Sequence, residues 1–407
     1  MSEIFEKNVK KLKGEHMSTI IRIRNKERFM FLFLVVAVLF SCHLFVLPTS
    51  AIAGPKPLSL MSYDIGSSGY LAYGLLGDSI LEKTGRRLRI VPCGNDTGRM
   101  VNLRVGKTQF AGQGLDIYFS MYGLDRYASR EWGPLDIRVI WLAQHAGWAI
   151  AVNADSDIHK VQDLKGKKCG WIPGSVMNNG MEALMAYGEV CWDDVEKVQK
   201  SGYGSSIKGL LDGSVDAASG QVSSPVFYEV ASGPKGLRWL EFSPDDKAAV
   251  ARVHDKLPMF APIKSAIGAN LSTENTVDCF TYPYPGTICM ASLDDDVAYT
   301  MTKAINESYP IFESKSKMMK DFWKLQGFLD FIENSSYVIV HPGAVRYLKE
   351  IGVWKSSWDS EQEKRLNLHK KVSALWEEVL EESFDKKIND KDFGAFWNEK
   401  RKVRFGF

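Results

Sequence analysis

The sequence predicts an α/β protein of two Rossmann-like lobes around a central cleft, and three observations carry that expectation. Short β-like runs alternate with helical stretches along the chain, the pattern of parallel sheets covered by helices. Three loops rich in Gly, Ser and Asn each follow a strand-like run and open a helix-like one. Open α/β sheets bind ligands at the carboxyl ends of their strands, so such loops from two sheets would face each other across a cleft. From about Gly54 onward the chain is also too long for one small core and fits two domains of ordinary size.

The elements follow in order. In the stretch Ile21 to Ala53, four basic residues (Arg22, Arg24, Lys26, Arg28) precede an apolar run, Phe29 to Phe40, that extends less cleanly to Leu47. Ala51-Ile52-Ala53 supplies the small-x-small pattern of signal-peptide cleavage, so residues 1–53 read as an export signal, with Met17 an alternative start. An uncleaved membrane anchor and a lipoprotein signal at Leu39-Phe40-Ser41-Cys42 compete with this reading, and the bulky Phe40 argues against the second. The expected location is periplasmic, or membrane-anchored if the signal is retained. Leu58 to Met61 is a strand, Ser62 to Tyr70 a Gly/Ser loop, and Leu71 to Lys83 a helix stopped by Thr84-Gly85. Leu88 to Val91 leads through Gly94-Asn95-Asp96-Thr97-Gly98 into a helix from Thr97 to Val105. Arg138 to Trp141, Trp148 to Val152 and Lys168 to Ile172 are strands, the last followed by Pro173-Gly174-Ser175 and a helix over Met177 to Tyr187. Asp294-Asp295-Asp296 is an N-cap and first turn for the helix carrying Val297, Met301 and Ile305. From Trp354 to the basic Lys400-Arg401-Lys402 the chain is charged and helical, a solvated extension packed by Trp358, Leu366, Leu375 and Trp376.

Composition and motifs exclude several classes. With 51 basic against 49 acidic residues there is no case for a nucleic-acid groove. Beyond Cys42, the cysteines Cys93, Cys169, Cys191, Cys279 and Cys289 are an odd set and no disulfide framework, although Cys169 with Cys191 and Cys279 with Cys289 are the nearer possible pairs. Gly106-Lys107-Thr108 resembles the end of a P-loop, but Val101 occupies the position of its first glycine. Ser205-Ser206-Ile207-Lys208 and Lys83-Thr84-Gly85 match penicillin-recognising patterns in reversed order, without Ser-Asp-Asn between them, and Gly-x-Ser-x-Gly is absent. The seven histidines form no zinc motif; His145 reads as a structural histidine and His341, before Pro342-Gly343, as the orderer of a turn. No residue pattern calls for covalent chemistry, a cofactor or a metal.

Several segments together resemble one family, the TAXI-type solute-binding proteins of TRAP (tripartite ATP-independent periplasmic) transporters. Ile65 to Gly85 looks like its opening loop and helix, and Gly98 to Phe110 its next helix, with an Asn-Leu pair before a Gly turn. Asp157 to Lys168 with Pro173-Gly174-Ser175 is similar to its "DLKGK…GS" core, and Leu210 to Ala217 to its "L-x-x-G-x-x-D-A" signal. His341 to Gly352 resembles the late "HPGA-x-x-Y-x-x-E-x-G" segment. The matches run in the right order over most of Leu58 to Trp354. Asp64-Ile65, Ser67-Ser68 and Lys107-Thr108-Gln109 depart from the pattern, and the tail after Trp354 is longer.

The resemblance implies a periplasmic solute-binding protein fold of type II-like form: lobe 1 from 54–147 plus 288–353, lobe 2 from 148–287, and a C-terminal extension, 354–407, on lobe 1. The chain would cross between lobes near Gly147 to Val152 and Thr287 to Ala291. It implies a protein that is not an enzyme and hands a small organic acid or amino acid to TRAP permease subunits. A helix N-terminus is worth roughly 0.3–1 kcal/mol to an anion. The expected ligand-binding residues are therefore Ser67, Ser68, Tyr70, Thr97, Ser175 and Asn178, with Gly66, Gly69, Gly98 and Gly174 baring the loop backbone. Arg99 would balance the ligand's charge, Gln113, Gln221 and Ser223 are secondary candidates, and Trp148 and Trp171 would wall the cleft. A sensor-input protein using the same fold is the alternative, and a hydrolase would need a nucleophile and base that the sequence does not supply.

Overall fold

The computed structural model describes residues 56–407 except 145–146; the export signal, Cys42 and His145 lie outside the described residues. Among the described residues the strands form two sheets. β1 (Leu58–Ser62) feeds α1 (Ser68–Thr84), β2 (Leu88–Pro92) feeds α2 (Asp96–Arg104), and β3 (Phe110–Gln113) feeds α3 (Asp116–Tyr122) before β4 (Ile137–Leu142). The chain then enters a second sheet with β5 (Trp148–Val152), β6 (Lys168–Trp171), α4 (Met177–Tyr187), β7 (Glu196–Gln199), α5 (Tyr203–Asp212), β8 (Ala217–Gln221) and α6 (Pro225–Ala231). β9 (Arg238–Trp239), α7 (Lys247–Lys256), β10 (Ala261–Ser265) and β11 (Val277–Thr281) complete that sheet. β12 (Gly286–Met290) returns to the first sheet and leads into α8 (Asp295–Glu307), α9 (Tyr309–Lys315), α10 (Lys317–Phe322), α11 (Leu325–Asn334) and α12 (Pro342–Glu350). Two long helices, α13 (Ser357–Asp385) and α14 (Asp390–Phe405), end the chain.

The strand orders are β2-β1-β3-β12-β4 and β10-β11-β5-β8-β6-β7, with β9 beside β5. Both sheets are mixed, which corrects the purely parallel expectation. β1 pairs in parallel with β2 and β3, and β6 with β7 and β8, whereas β12 and β5 run antiparallel to their neighbours. The reason is topological, because β5 and β12 are each the first strand after a passage between the sheets. The chain leaves the first sheet after β4 and returns to it through residues 282–285. β4 and β5 are buried at every position, as expected of apolar runs covered on both faces. The result is an α/β fold of two lobes, type II-like in architecture.

α1 begins at Ser68, three residues before the apolar periodicity, because the Ser67 hydroxyl accepts a hydrogen bond from the Tyr70 N–H at 3.0 Å and caps it. Asp294 caps α8 by accepting from the N–H groups of Asp296 and Val297. His341 caps α12: its Nδ1 accepts from the Gly343 N–H at 3.1 Å, leaving Nε2 to donate to the Leu293 carbonyl.

The extension is docked rather than solvated. Trp358 and Trp376 are buried while Leu366 and Leu375 are half-buried. Trp397 Nε1 donates to the Gly123 carbonyl at 2.7 Å, Arg365 to the Ile332 and Val338 carbonyls, and Arg130 pairs with Asp390. All five described cysteines are free thiols. Neither candidate bridge forms: Cys169 is in the core of the second sheet while Cys191 is exposed, and Cys279 and Cys289 lie in different sheets. Among the described residues no helix is long and apolar enough to cross a membrane.

Candidate functional site

The amino termini of α1 and α2 from one lobe meet those of α4 and α5 from the other, and the second passage, Tyr282 to Pro285, closes the gap between them. Together they enclose a cavity that leaves about 30 Å³ for the centres of water-sized atoms. Tyr63, Asp64 and Ser67 line it from the first loop, Gly94, Asn95, Asp96 and Arg99 from the second. Trp148, Ser175, Met177, Tyr203 and Gln221 line it from the other lobe, and Tyr282 and Tyr284 from the passage. Two glycines allow this convergence. A Cβ on Gly69 would stand 2.4 Å from the Tyr63 ring and 2.5 Å from the Tyr284 hydroxyl, and one on Gly180 would stand 2.3 Å from the Trp148 ring.

Each helix end facing the cavity is capped by the protein itself. At α1 the Ser68 N–H donates to Ser224 Oγ across the cleft at 3.2 Å, and the Gly69 N–H to the Tyr284 hydroxyl at 3.1 Å. At α2 Asn95 Oδ1 accepts from the Gly98 N–H at 2.7 Å. At α4 the cap comes from the opposite lobe, where Asp96 Oδ2 accepts from Ser175 Oγ at 2.7 Å and the Val176 N–H at 2.9 Å. At α5 Asp64 Oδ2 likewise accepts from the Gly204 N–H at 2.9 Å. Further bonds cross the cleft from Thr97 Oγ1 and Arg126 to the Gly174 carbonyl, and from the Val226 N–H to the Gly66 carbonyl. The lobes are thus closed on one another.

Arg99 is buried at 3 % exposure, paired with Asp96 through Nη2, and stacked 4.6 Å above the Tyr63 ring. Its Nε has no hydrogen-bond partner among the described residues, and the same holds for Gln221 Oε1, Trp148 Nε1 and the Tyr63 hydroxyl. All four side chains line the cavity and are at least nine-tenths buried. An unpaired buried polar atom costs about 1–3 kcal/mol, and four of them belong to side chains lining one cavity. Burial pushes the hydroxyls of Tyr63, Tyr203, Tyr282 and Tyr284 up, the last to about 12, so all remain neutral hydroxyls able to donate. Behind the cavity, burial pushes the fully enclosed Asp116 carboxyl up to about 7 against the pull of Arg126, 3.3 Å away. Among the described residues no cluster of His, Cys, Asp and Glu could hold a metal ion.

Of the residues proposed from the sequence, Ser67, Arg99, Trp148, Ser175 and Gln221 line the cavity. Gly66, Ser68, Gly69, Thr97 and Gly174 belong to the contacts that cap α1 or join the lobes. Tyr70 and Gly98 complete helix caps, Gln113 lies behind Arg99 and accepts from its Nη2 at 3.4 Å, and Asn178 ties its own loop to Ile172. Ser223 is buried and Trp171 half-buried, and neither lines the cavity. The helix ends opened by the three loops are capped by groups of the protein itself, and Arg99 is paired with Asp96. Sequence reasoning missed Tyr63, Asp64, Asp96, Met177, Tyr203, Tyr282 and Tyr284. An acid inside two loops read as anion cradles was the available signal for Asp64 and Asp96.

A model of the NMT1-like family matches residues 103–352. No curated protein matches the sequence. Among solved structures, the alkanesulfonate-binding protein SsuA from Xanthomonas axonopodis pv. citri bound to MOPS is 13% identical, over 83% of this chain and 95% of that one, with a TM-score of 0.42. The periplasmic aliphatic sulphonate-binding protein SsuA from Escherichia coli is 12% identical over 82% and 94%, with a TM-score of 0.42. A structure described as a periplasmic transporter is 13% identical over 77% and 96%, with a TM-score of 0.46.

Proposed function

Because the chain belongs to the NMT1-like family, we propose that it is an extracytoplasmic solute-binding protein that captures a small organic acid or amino acid between its lobes and delivers it to a TRAP-type permease. One observation carries the reading: the cavity between the lobes, lined by four side chains in which Arg99 Nε, Gln221 Oε1, Trp148 Nε1 and the Tyr63 hydroxyl are buried without hydrogen-bond partners among the described residues. A polar solute of matching shape satisfies those groups and removes their desolvation penalty. The permease and the periplasmic location rest on the sequence resemblance and the export signal.

The lining favours capture over catalysis. Among the described residues it contains no His, Cys or Lys, and the Ser175 hydroxyl, bonded to Asp96, shares that carboxylate with Arg99 and the Val176 N–H. Among the described lining residues no free base stands beside a serine nucleophile. Native mass spectrometry of the protein as purified from its host tests the reading. A stoichiometric small acid or amino acid, whose removal enlarges the radius of gyration in solution scattering, is the expected result. A protein that neither retains nor is thermally stabilised by any monocarboxylate, dicarboxylate, 2-oxoacid or amino acid is not a solute trap of this kind.

A further inference from the structure

The Asp96 carboxylate sits as a bound ligand's carboxylate would. One oxygen takes the guanidinium of Arg99 from its own lobe, and the other takes Ser175 Oγ–H at 2.7 Å and the Val176 N–H at 2.9 Å from the opposite lobe. It is 2 % exposed. The N-cap residue of α4, Val176, has no side-chain cap, so beside the Ser175 Oγ that accepts from the Met177 N–H at 3.2 Å, the borrowed carboxylate takes the Val176 N–H. A helix end alone would say nothing about a ligand. Here two buried, unpartnered atoms of the same cavity, Arg99 Nε and Gln221 Oε1, point to an occupant that Asp96 does not fully replace.

Resting on the solute-binding reading above, we propose that Arg99, Ser175 and Val176 form a carboxylate subsite which Asp96 fills when the protein is empty, and from which a small ligand bearing one carboxylate displaces it. Two ionised carboxylates sharing these three donors at contact distance repel, so an incoming ligand carboxylate favours the departure of Asp96. The exchange is charge for charge, so the buried guanidinium keeps a counter-ion throughout and escapes the penalty of an unpaired buried ion. The class follows from the same count. Among the described residues the lining holds Asp64 and Asp96 against the single guanidinium of Arg99, so a second ligand carboxylate finds no cation to pair with. Asp96 is then an internal competitor: it holds the empty lobes together and sets the threshold that a ligand must exceed.

The test removes the internal carboxylate and supplies one from solution. Asp96→Ala in the full-length protein is expected to show a larger radius of gyration than wild type when empty. Sodium acetate, and not sodium chloride at equal ionic strength, is expected to return it to the wild-type value. The apparent acetate affinity read from Trp fluorescence should be at least about tenfold tighter than in wild type, where acetate competes with Asp96. Ser175→Ala, which keeps Asp96 but removes one donor, should open the empty protein partway and weaken the acetate response of the double variant. A D96A protein that stays compact without acetate, or opens and ignores it, overturns the proposal. So does loss of affinity for an amine-bearing solute in D96A, since Asp96 would then be holding the ligand's cation. In those cases a wild-type protein that still binds its native solute leaves the solute-binding reading standing, so the two failures are distinguishable.

Discussion

Asp116 offers a direct measurement of which force wins inside the closed protein. Its carboxyl is fully enclosed behind the cavity, with Arg126 3.3 Å from Oδ1 and the Tyr127 hydroxyl donating to Oδ2. Burial opposes ionisation, as does the neighbouring Asp96, while Arg126, the Tyr127 hydrogen bond and Arg99 favour it; burial is the largest effect and carries the pKa from 3.8 up to about 7. The native state therefore keeps a proton that the unfolded chain releases, and the sign follows. Stability from this group is fully present below the unfolded value and is lost as pH rises through the window from 3.8 to about 7. The gap of about 3 pH units, at ~1.4 kcal/mol each, amounts to about 4 kcal/mol. Asp116→Asn keeps the shape and cannot ionise, so it should match wild type at about pH 3 and gain on it by up to that amount at about pH 8. Urea denaturation of both proteins at several pH values reads the difference, in which the effects of all other carboxylates cancel. If wild type instead gains on D116N as pH rises, the guanidinium has overcome burial and the argument is wrong.

Three further outcomes follow from the same structure. Gly180→Ala forces a methyl to within 2.3 Å of the Trp148 ring and should cost about 1–3 kcal/mol in chemical denaturation; Gly74→Ala, in an open stretch of α1, should be neutral or stabilising by about 0.5–1 kcal/mol. Gln221→Leu loses the Nε2 bond to the Tyr282 hydroxyl at 3.1 Å but also removes the unpaired Oε1, so melting should shift little while affinity for the native solute falls about tenfold or more by calorimetry. His341→Ala should lose about 1–2 kcal/mol with the α12 cap. Burial holds the His341 pKa below 6.5, so the wild-type contribution is present above that value and fades as pH falls beneath it, and a variant curve parallel to wild type across that range would refute this account.

How much of this was legible depended on how local each feature is. The Gly/Ser loops and the helices they open follow from capping chemistry within a few residues, which is why α2 and the stop of α1 at Gly85 stand where the sequence puts them. The direction of β5 and β12 was not legible, because pairing depends on where the chain re-enters a sheet rather than on its own side chains. Tyr282 and Tyr284 were missed for a related reason. A Tyr-Pro-Tyr-Pro run has no chemical signature, and only the position of the passage makes it a wall. Asp96 sat in plain view in a loop read as an anion cradle, yet nothing local says that its carboxylate reaches the other lobe.

That position of the passages bears on how closure and recognition are joined. Trp148 begins the strand that follows the first passage, and Tyr282 and Tyr284 belong to the second. The Trp148 and Tyr282 rings lie 5.4 Å apart, and the Tyr284 hydroxyl accepts from the first turn of α1. Any rotation of one lobe against the other acts through these segments, so it necessarily moves three walls of the cavity. An occupant touching them has different contacts in the open and closed forms. That difference is the quantity by which a ligand shifts a conformational equilibrium; contacts confined to one rigid lobe supply none of it. The aromatic passages thus give the occupant leverage on closure beyond what it gains by bridging Arg99 and the amino end of α4.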